Sequence, residues 1–397
     1  MFTYLILEAG ALLVGVLAGL WALWRIVDMP VLRQRLRNAW LPLSLLGLAL
    51  MTGLYAHKTT WPQLAMPPWM NSLGPHQDPP WLPLANVGQF FRHFDAFEEV
   101  ADIGRDPAAV PPSLDRPGGA TVRFELNIRE VIAEVAPGVY ANFWTYDGQV
   151  PGPLLRVKVH DTVELSLTNH PSSLHPHSID LHAVSGPGGG GMLSRVAPGE
   201  TRRFRFKALN PGLYVYHCAS MNAGLHETHG QYGLILVEPE AGLSRVDRTY
   251  YLVQGELYAA GETGQKGLTR FDSHAFLDGR PSYVTLNGRV EKAPRMRART
   301  GERIRLLVGN GGVNLASAFH VIGEIFDVVY PEAAIGSAPL RNVQTTVVPP
   351  GGATIVEFTV DVPGTYLAVD HALARMNKGA WAAIEVTGPP RPDLFAP

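Results

Sequence analysis

One cysteine and a few histidines carry the chemistry open to this chain. They lie in Pro176-His177-Ser178-Ile179-Asp180-Leu181-His182, in Tyr216-His217-Cys218-Ala219, and in the spacing Cys218-x7-His226-x4-Gln231. If the first segment is a strand, its side chains alternate between faces. Asp180 and His182 then share one face and His177 points to the other. His217 and Cys218, as chain neighbours, also point opposite ways, so Cys218 can join His177 while His217 joins His182. A thiolate with two imidazoles and a weak axial ligand is an electron-transfer copper set, and the axial ligand can be Met or Gln. On the other face, His182 and His217 need one more imidazole. Three neutral imidazoles with an open position make a catalytic metal site rather than a closed structural one.

Alone, each residue has a blander reading. A lone cysteine is most often a small buried hydrophobe, and a lone strand histidine belongs to core or surface. Those readings do not account for three segments in complementary registers. Tyr216 and Ile179 read as packing residues, and His229 as an outer-shell or surface residue. Met221, in the same loop as Cys218, is a rival axial ligand with less suitable spacing.

The elements around these segments are short and β-like. The chain has 41 Gly and 33 Pro among 397 residues, suiting many turns and short strands. Strands are expected at 121–127, 155–159, 162–167, 202–207, 212–217 and 233–237. A second set is expected at 249–254, 282–286, 303–308, 345–348, 353–360, 365–369 and 381–386. Both sets contain a Pro-Gly turn and close on Pro-Gly-x-Tyr (Pro211-Gly212-Leu213-Tyr214, Pro363-Gly364-Thr365-Tyr366). This internal repeat implies an all-β fold of two tandem Greek-key barrels, over 121–240 and 246–388.

The first 120 residues differ. Apolar runs at 3–27 and 39–56 are each long enough to approach the ~30 Å of a bilayer core. Arg25, Arg33, Arg35 and Arg37 lie near the turn between them, which sets that turn on the cytoplasmic side. The expectation is a transmembrane helical hairpin over 1–58 with Trp21, Trp24, Trp40 and Trp61 as interfacial anchors. Glu8 would then be an ionisable group inside the first span. Residues 59–120 read as a Pro-rich, extended connector, with Phe90–Phe97 as an aromatic docking segment. The net charge of −2 leaves no electrostatic footprint for nucleic acid.

His-Ser-Ile-Asp-Leu-His (177–182), Tyr-His-Cys-Ala (216–219) and Gly-Gln-Tyr-Gly-Leu-Ile-Leu-Val-Glu-Pro (230–239) resemble the copper-containing nitrite reductases. So do Asn310-Gly311-Gly312-Val313-Asn314, Phe319-His320-Val321-Ile322-Gly323-Glu324 and Asp370-His371. The resemblance implies cupredoxin-like barrels with one type 1 and one type 2 copper per chain. It implies that His177, Cys218 and His226 bind type 1 copper, while His182, His217 and His371 bind type 2 copper. It makes Asp180 and His320 the acid/base pair and Ile322 a wall of the nitrite pocket. It further implies a homotrimer with His371 reaching a neighbour's site. A cytochrome c or cupredoxin would be the donor, in the bacterial periplasm. Gln231 departs from the family's usual Met and should lower the type 1 potential. A hairpin in the inner (cytoplasmic) membrane would add the lipid bilayer as a partner and quinol as a conceivable donor. The competing readings are a two-domain multicopper oxidase and a membrane-tethered electron carrier. The chain has one His-x-His (His175-Pro176-His177), too few imidazoles for the oxidase's trinuclear centre.

Overall fold

The computed structural model describes residues 2–27, 32–60, 98–220, 222–290 and 292–396, less some helix side chains near 2–8, 26, 32–38 and 56–60. The connector stretch 61–97, with Trp61 and Phe90–Phe97, lies outside the described residues, as do Met221 and the Glu8 side chain.

The N-terminal unit is a helical hairpin, α1 (Phe2–Val27) and α2 (Leu32–Thr60). Small residues let the helices approach closely. Gly15 faces Ala49 and Leu46, Gly53 faces Ala11, and Ala18, Ala22, Ala39 and Ala49 are buried. Leu12, Leu13, Leu17, Leu20, Leu23, Trp24 and Trp40 point outward, and Trp21 is half-buried. Among the described residues, no helix is long and apolar enough to cross a membrane. The expected spanning hairpin is therefore corrected to a helical hairpin. The sequence of α2 carries Arg33, Arg35 and Arg37 at one end and Lys58 at the other, which shortens its apolar stretch.

The second unit holds the β structure. Its first half pairs two sheets. One contains Val139–Tyr146, Thr121–Ala136, Thr162–Asn169 and Thr201–Lys207 in that order, and the other Leu155–Lys158, Tyr232–Glu238, Gly212–His217 and Asp180–Leu181. Leu126, Ile128, Leu165, Tyr216, Ile235 and Val237 fill the space between them. The second half repeats the plan with two five-stranded sheets around Leu252, Leu306, Phe319, Phe326, Phe358 and Ile384. A third cluster, with Phe143, Val150, Leu234, Tyr251, Leu307 and Ile355, joins the halves. Every expected strand is present, most within three residues of the expected ends, though the one expected at 121–127 runs on to Ala136. Strands Val139–Tyr146, Arg295–Arg299, Ser317–Ile322 and Val328–Tyr330 were additional to that reading.

Residues 98–120 are extended but not independent of the body. Glu98–Val100 pairs with Val131–Ala133, Ile103 is in the core, and Pro107 O accepts from Tyr251 N at 2.8 Å.

Candidate metal centres

Among the described residues, two groups of side chains converge closely enough to hold a metal ion. One is His177, Cys218 and His226, all buried; the other is Asp180, His182 and His217, half-buried to exposed. The backbone that feeds both is less regular than a six-residue strand. Only Asp180–Leu181 pairs as a strand, with Asp180 opposite His217 and Leu181 opposite Tyr216. Upstream, Pro176 has no N–H. The Ser178 N–H donates to Cys218 Sγ at 3.3 Å, and the Ile179 N–H donates to Ser194 Oγ at 3.0 Å. A sulfur and a hydroxyl have taken the donors that a neighbouring strand would use. The facing expected from alternation still holds at both ends. Ile179 and Tyr216 are fully buried packing residues; a Cβ at Gly152 would collide with the Tyr216 hydroxyl, and one at Gly233 with its ring.

In the buried group, Cys218 Sγ is 3.2 Å from His226 Nδ1 and 4.0 Å from His177 Nδ1, and the two Nδ1 atoms are 3.1 Å apart. Gln231 Oε1 joins them, 3.2 Å from His226 Nδ1, while its Nε2 is buried with no partner among the described residues. Two imidazole nitrogens, one thiol sulfur and one amide oxygen thus gather in the buried group. That donor set fits copper. Burial works against the Cys218 thiolate, yet the His177 imidazole and nearby backbone N–H groups outweigh it and hold the thiol below its ordinary range. Trp144 closes the site, stacked on His229 at 4.5 Å and tilted on His175 at 4.4 Å, with the His226 ring at its edge. His229 is an outer-shell residue whose Nδ1–H donates to Leu225 O at 2.7 Å, and burial pushes its pKa down to about 4.

At the second group, His182 Nε2 and His217 Nε2 approach to 3.0 Å. The other nitrogen of His217 donates to Cys218 O at 3.0 Å and lies 3.3 Å from Glu227 Oε1. This outer bond orients the ring and leaves Nε2 for a ligand. Burial raises the Glu227 carboxyl to about 7. Gly189 packs against Asp180, and a Cβ there would lie 1.7 Å from Asp180 Oδ1. His320, Ile322 and His371 are not part of this group in the chain. They sit on the second half, where the His320 and His371 rings are 5.2 Å apart and His371 and Ile322 are exposed. His320 Nδ1 donates to Gln344 O at 2.5 Å. Gly189, Glu227, Trp144 and Glu130 were not singled out in the sequence. Glu130 alone left a signal, as a carboxylate on the inward face after Leu126 and Ile128.

Residues 127–242 match a family model described as multicopper oxidase. A copper-containing nitrite reductase of Neisseria meningitidis is 48% identical over 290 residues, covering 72% of this chain and 75% of that one. The solved copper nitrite reductase of Nitrosomonas europaea superposes with a TM-score of 0.60 at 33% identity, over 69% of this chain and 96% of that one. A multicopper oxidase at 23% identity and a TM-score of 0.60 shares the cupredoxin-like fold. With its two metal-ligand groups and this degree of likeness, the chain belongs to the copper-containing nitrite reductases, a family of copper enzymes.

Proposed function

We propose that the protein reduces nitrite to nitric oxide in denitrification, consuming one electron and two protons and releasing water. The observation that carries this reading is the pair of ligand groups joined by a single peptide link, Cys218 in one and His217 in the other. His177, Cys218, His226 and Gln231 would hold type 1 copper, and His182, His217 and a neighbouring chain's His371 type 2 copper. When bound, copper supplies single-electron chemistry at the first site and, at the second, a positive charge that offsets the nitrite anion.

The chain's own groups do the rest. Asp180 stands opposite His217 on paired strands, placed to hydrogen-bond a nitrite oxygen and deliver a proton. His320 is held through Nδ1–H, which leaves Nε2 to hold the second proton. Ile322, exposed on the same strand as His320, would form an apolar wall for the pocket. The His320–His371 pair, with His371 exposed and His320 half-buried, lies outside the two-imidazole group, which favours completion of each site by another subunit in a homotrimer. The shared Cys218–His217 backbone offers the electron a covalent path.

The outward-facing leucines of the hairpin support attachment to a lipid bilayer on the periplasmic side, with a cytochrome c, a cupredoxin or quinol as donor. Copper reduction by a quinol analogue without added carrier tests the last; strict dependence on a soluble donor refutes it. Anaerobic nitric oxide formation from nitrite by the purified protein, with an artificial donor, tests the reaction itself. Copper-loaded protein that releases none would leave the electron-carrier reading in its place.

A further inference from the structure

We propose that Glu130 is a positioning residue for the electron-transfer copper: its buried carboxylate orients His177 and its charge favours the oxidised metal. The proposal rests on the reading of His177 as a copper ligand.

Glu130 lies on strand Thr121–Ala136, inward-facing and fully enclosed. A carboxylate left there without partners would be strongly destabilising. Its Oε1 is met by four groups: the Leu174 N–H at 2.8 Å, the His175 N–H at 2.8 Å, His175 Nδ1 at 3.0 Å and His177 Nε2 at 3.2 Å. The two backbone groups can only donate, and an ionised carboxylate can only accept. The set is satisfied when both imidazoles also donate. His177 then carries its proton on Nε2, and Nδ1, the atom facing Cys218 and His226, is free to bind metal. A carboxylate–histidine–metal arrangement of this kind fixes tautomer and ring orientation and raises ligand basicity. His175 acts as a second clamp, since Trp144 packs on its ring and meets the His177 ring at 5.5 Å. Among the described residues Oε2 is buried without a hydrogen-bond partner, and donation from neutral imidazoles and backbone N–H groups leaves the carboxylate's formal negative charge beside the site. A nearby negative charge stabilises Cu(II) over Cu(I) and lowers the reduction potential.

The test is Glu130→Gln, which keeps an oxygen acceptor and removes the charge. Copper-loaded full-length protein is titrated against redox mediators while the type 1 visible absorbance is followed. The proposal expects the absorbance to be retained and the Cu(I)/Cu(II) ratio at fixed potential to rise about tenfold, a shift of ~59 mV for one electron. The type 2 electron paramagnetic resonance signal should not change. Glu130→Ala, which removes the acceptor too, should also shift or bleach the type 1 absorbance. If the Ala variant fails to fold, the Gln titration decides alone. A Gln variant with the native potential overturns the proposal. Native protein that binds copper without any type 1 absorbance would instead overturn the assignment of His177, and this proposal with it.

Discussion

The two ligand groups are separated by one peptide bond, yet they are built in contrasting ways. Around Cys218 everything is inside: His177 is fully buried, His226 nearly so, Gln231 offers only its oxygen, and Trp144 caps the set. All four donors come from the first half of one chain. Around His217 the site is open, with His182 exposed, Asp180 half-buried, and His320 and His371 outside the group. A centre that only passes electrons gains from donors that cannot move. A centre that binds an anion and moves protons must keep a place for both. On the proposed function, burial matches each side of the His217–Cys218 link to its work.

The largest expected effect breaks the open side alone. Asp180→Asn should keep both coppers and the type 1 absorbance while kcat falls by about 10²–10⁴, the usual weight of a positioned proton donor. Near-native turnover would remove Asp180 from that role. Gly189→Ala should approach this loss without touching a ligand. Its Cβ would lie 1.7 Å from Asp180 Oδ1, and at φ +54° a side chain is also strained. Turnover about tenfold or more below native, with normal copper content, is the outcome expected from displacing a catalytic group.

On the closed side, Gln231→Met should leave folding and copper content intact and raise the type 1 potential, with a change of colour. An unchanged spectrum would mean that Gln231 Oε1 does not meet the metal. The smallest effect concerns stability only. Burial, with Asp361 and Asp327 nearby, raises the Glu324 carboxyl to about 7. An unfolded chain releases that proton near the ordinary 4.5 and the folded one only near 7, so the group costs stability as pH rises through that window. Glu324→Gln should match the native protein at pH 4.5 and exceed it above pH 7. Because Glu324 is half-exposed, the gain should stay under about 2 kcal/mol. Denaturant unfolding at the two pH values measures it.

Much of this was legible in the sequence because the relevant spacings are short. Two-residue periodicity placed His177 and His182 on opposite sides, and adjacency did the same for His217 and Cys218. The repeated Pro-Gly turns marked the two similar β halves. What the sequence hid depends on contacts between distant segments. Glu130 meets His177 across 47 positions, and Glu227 reaches His217 from a short helix whose N-cap, Asn222, is in a left-handed conformation. Gly189 matters through the space it leaves for Asp180. The apolar runs showed helices reliably, but apolarity alone carried the membrane-spanning reading further than the hairpin supports.

The contrast between a self-contained centre and a shared one is tested most directly by His371→Ala. Copper is counted per chain and the two copper signals are resolved in the purified variant. The account predicts loss of the type 2 signal and of nitric oxide formation, with type 1 copper retained at one per chain. Two coppers per chain and undiminished turnover would contradict it.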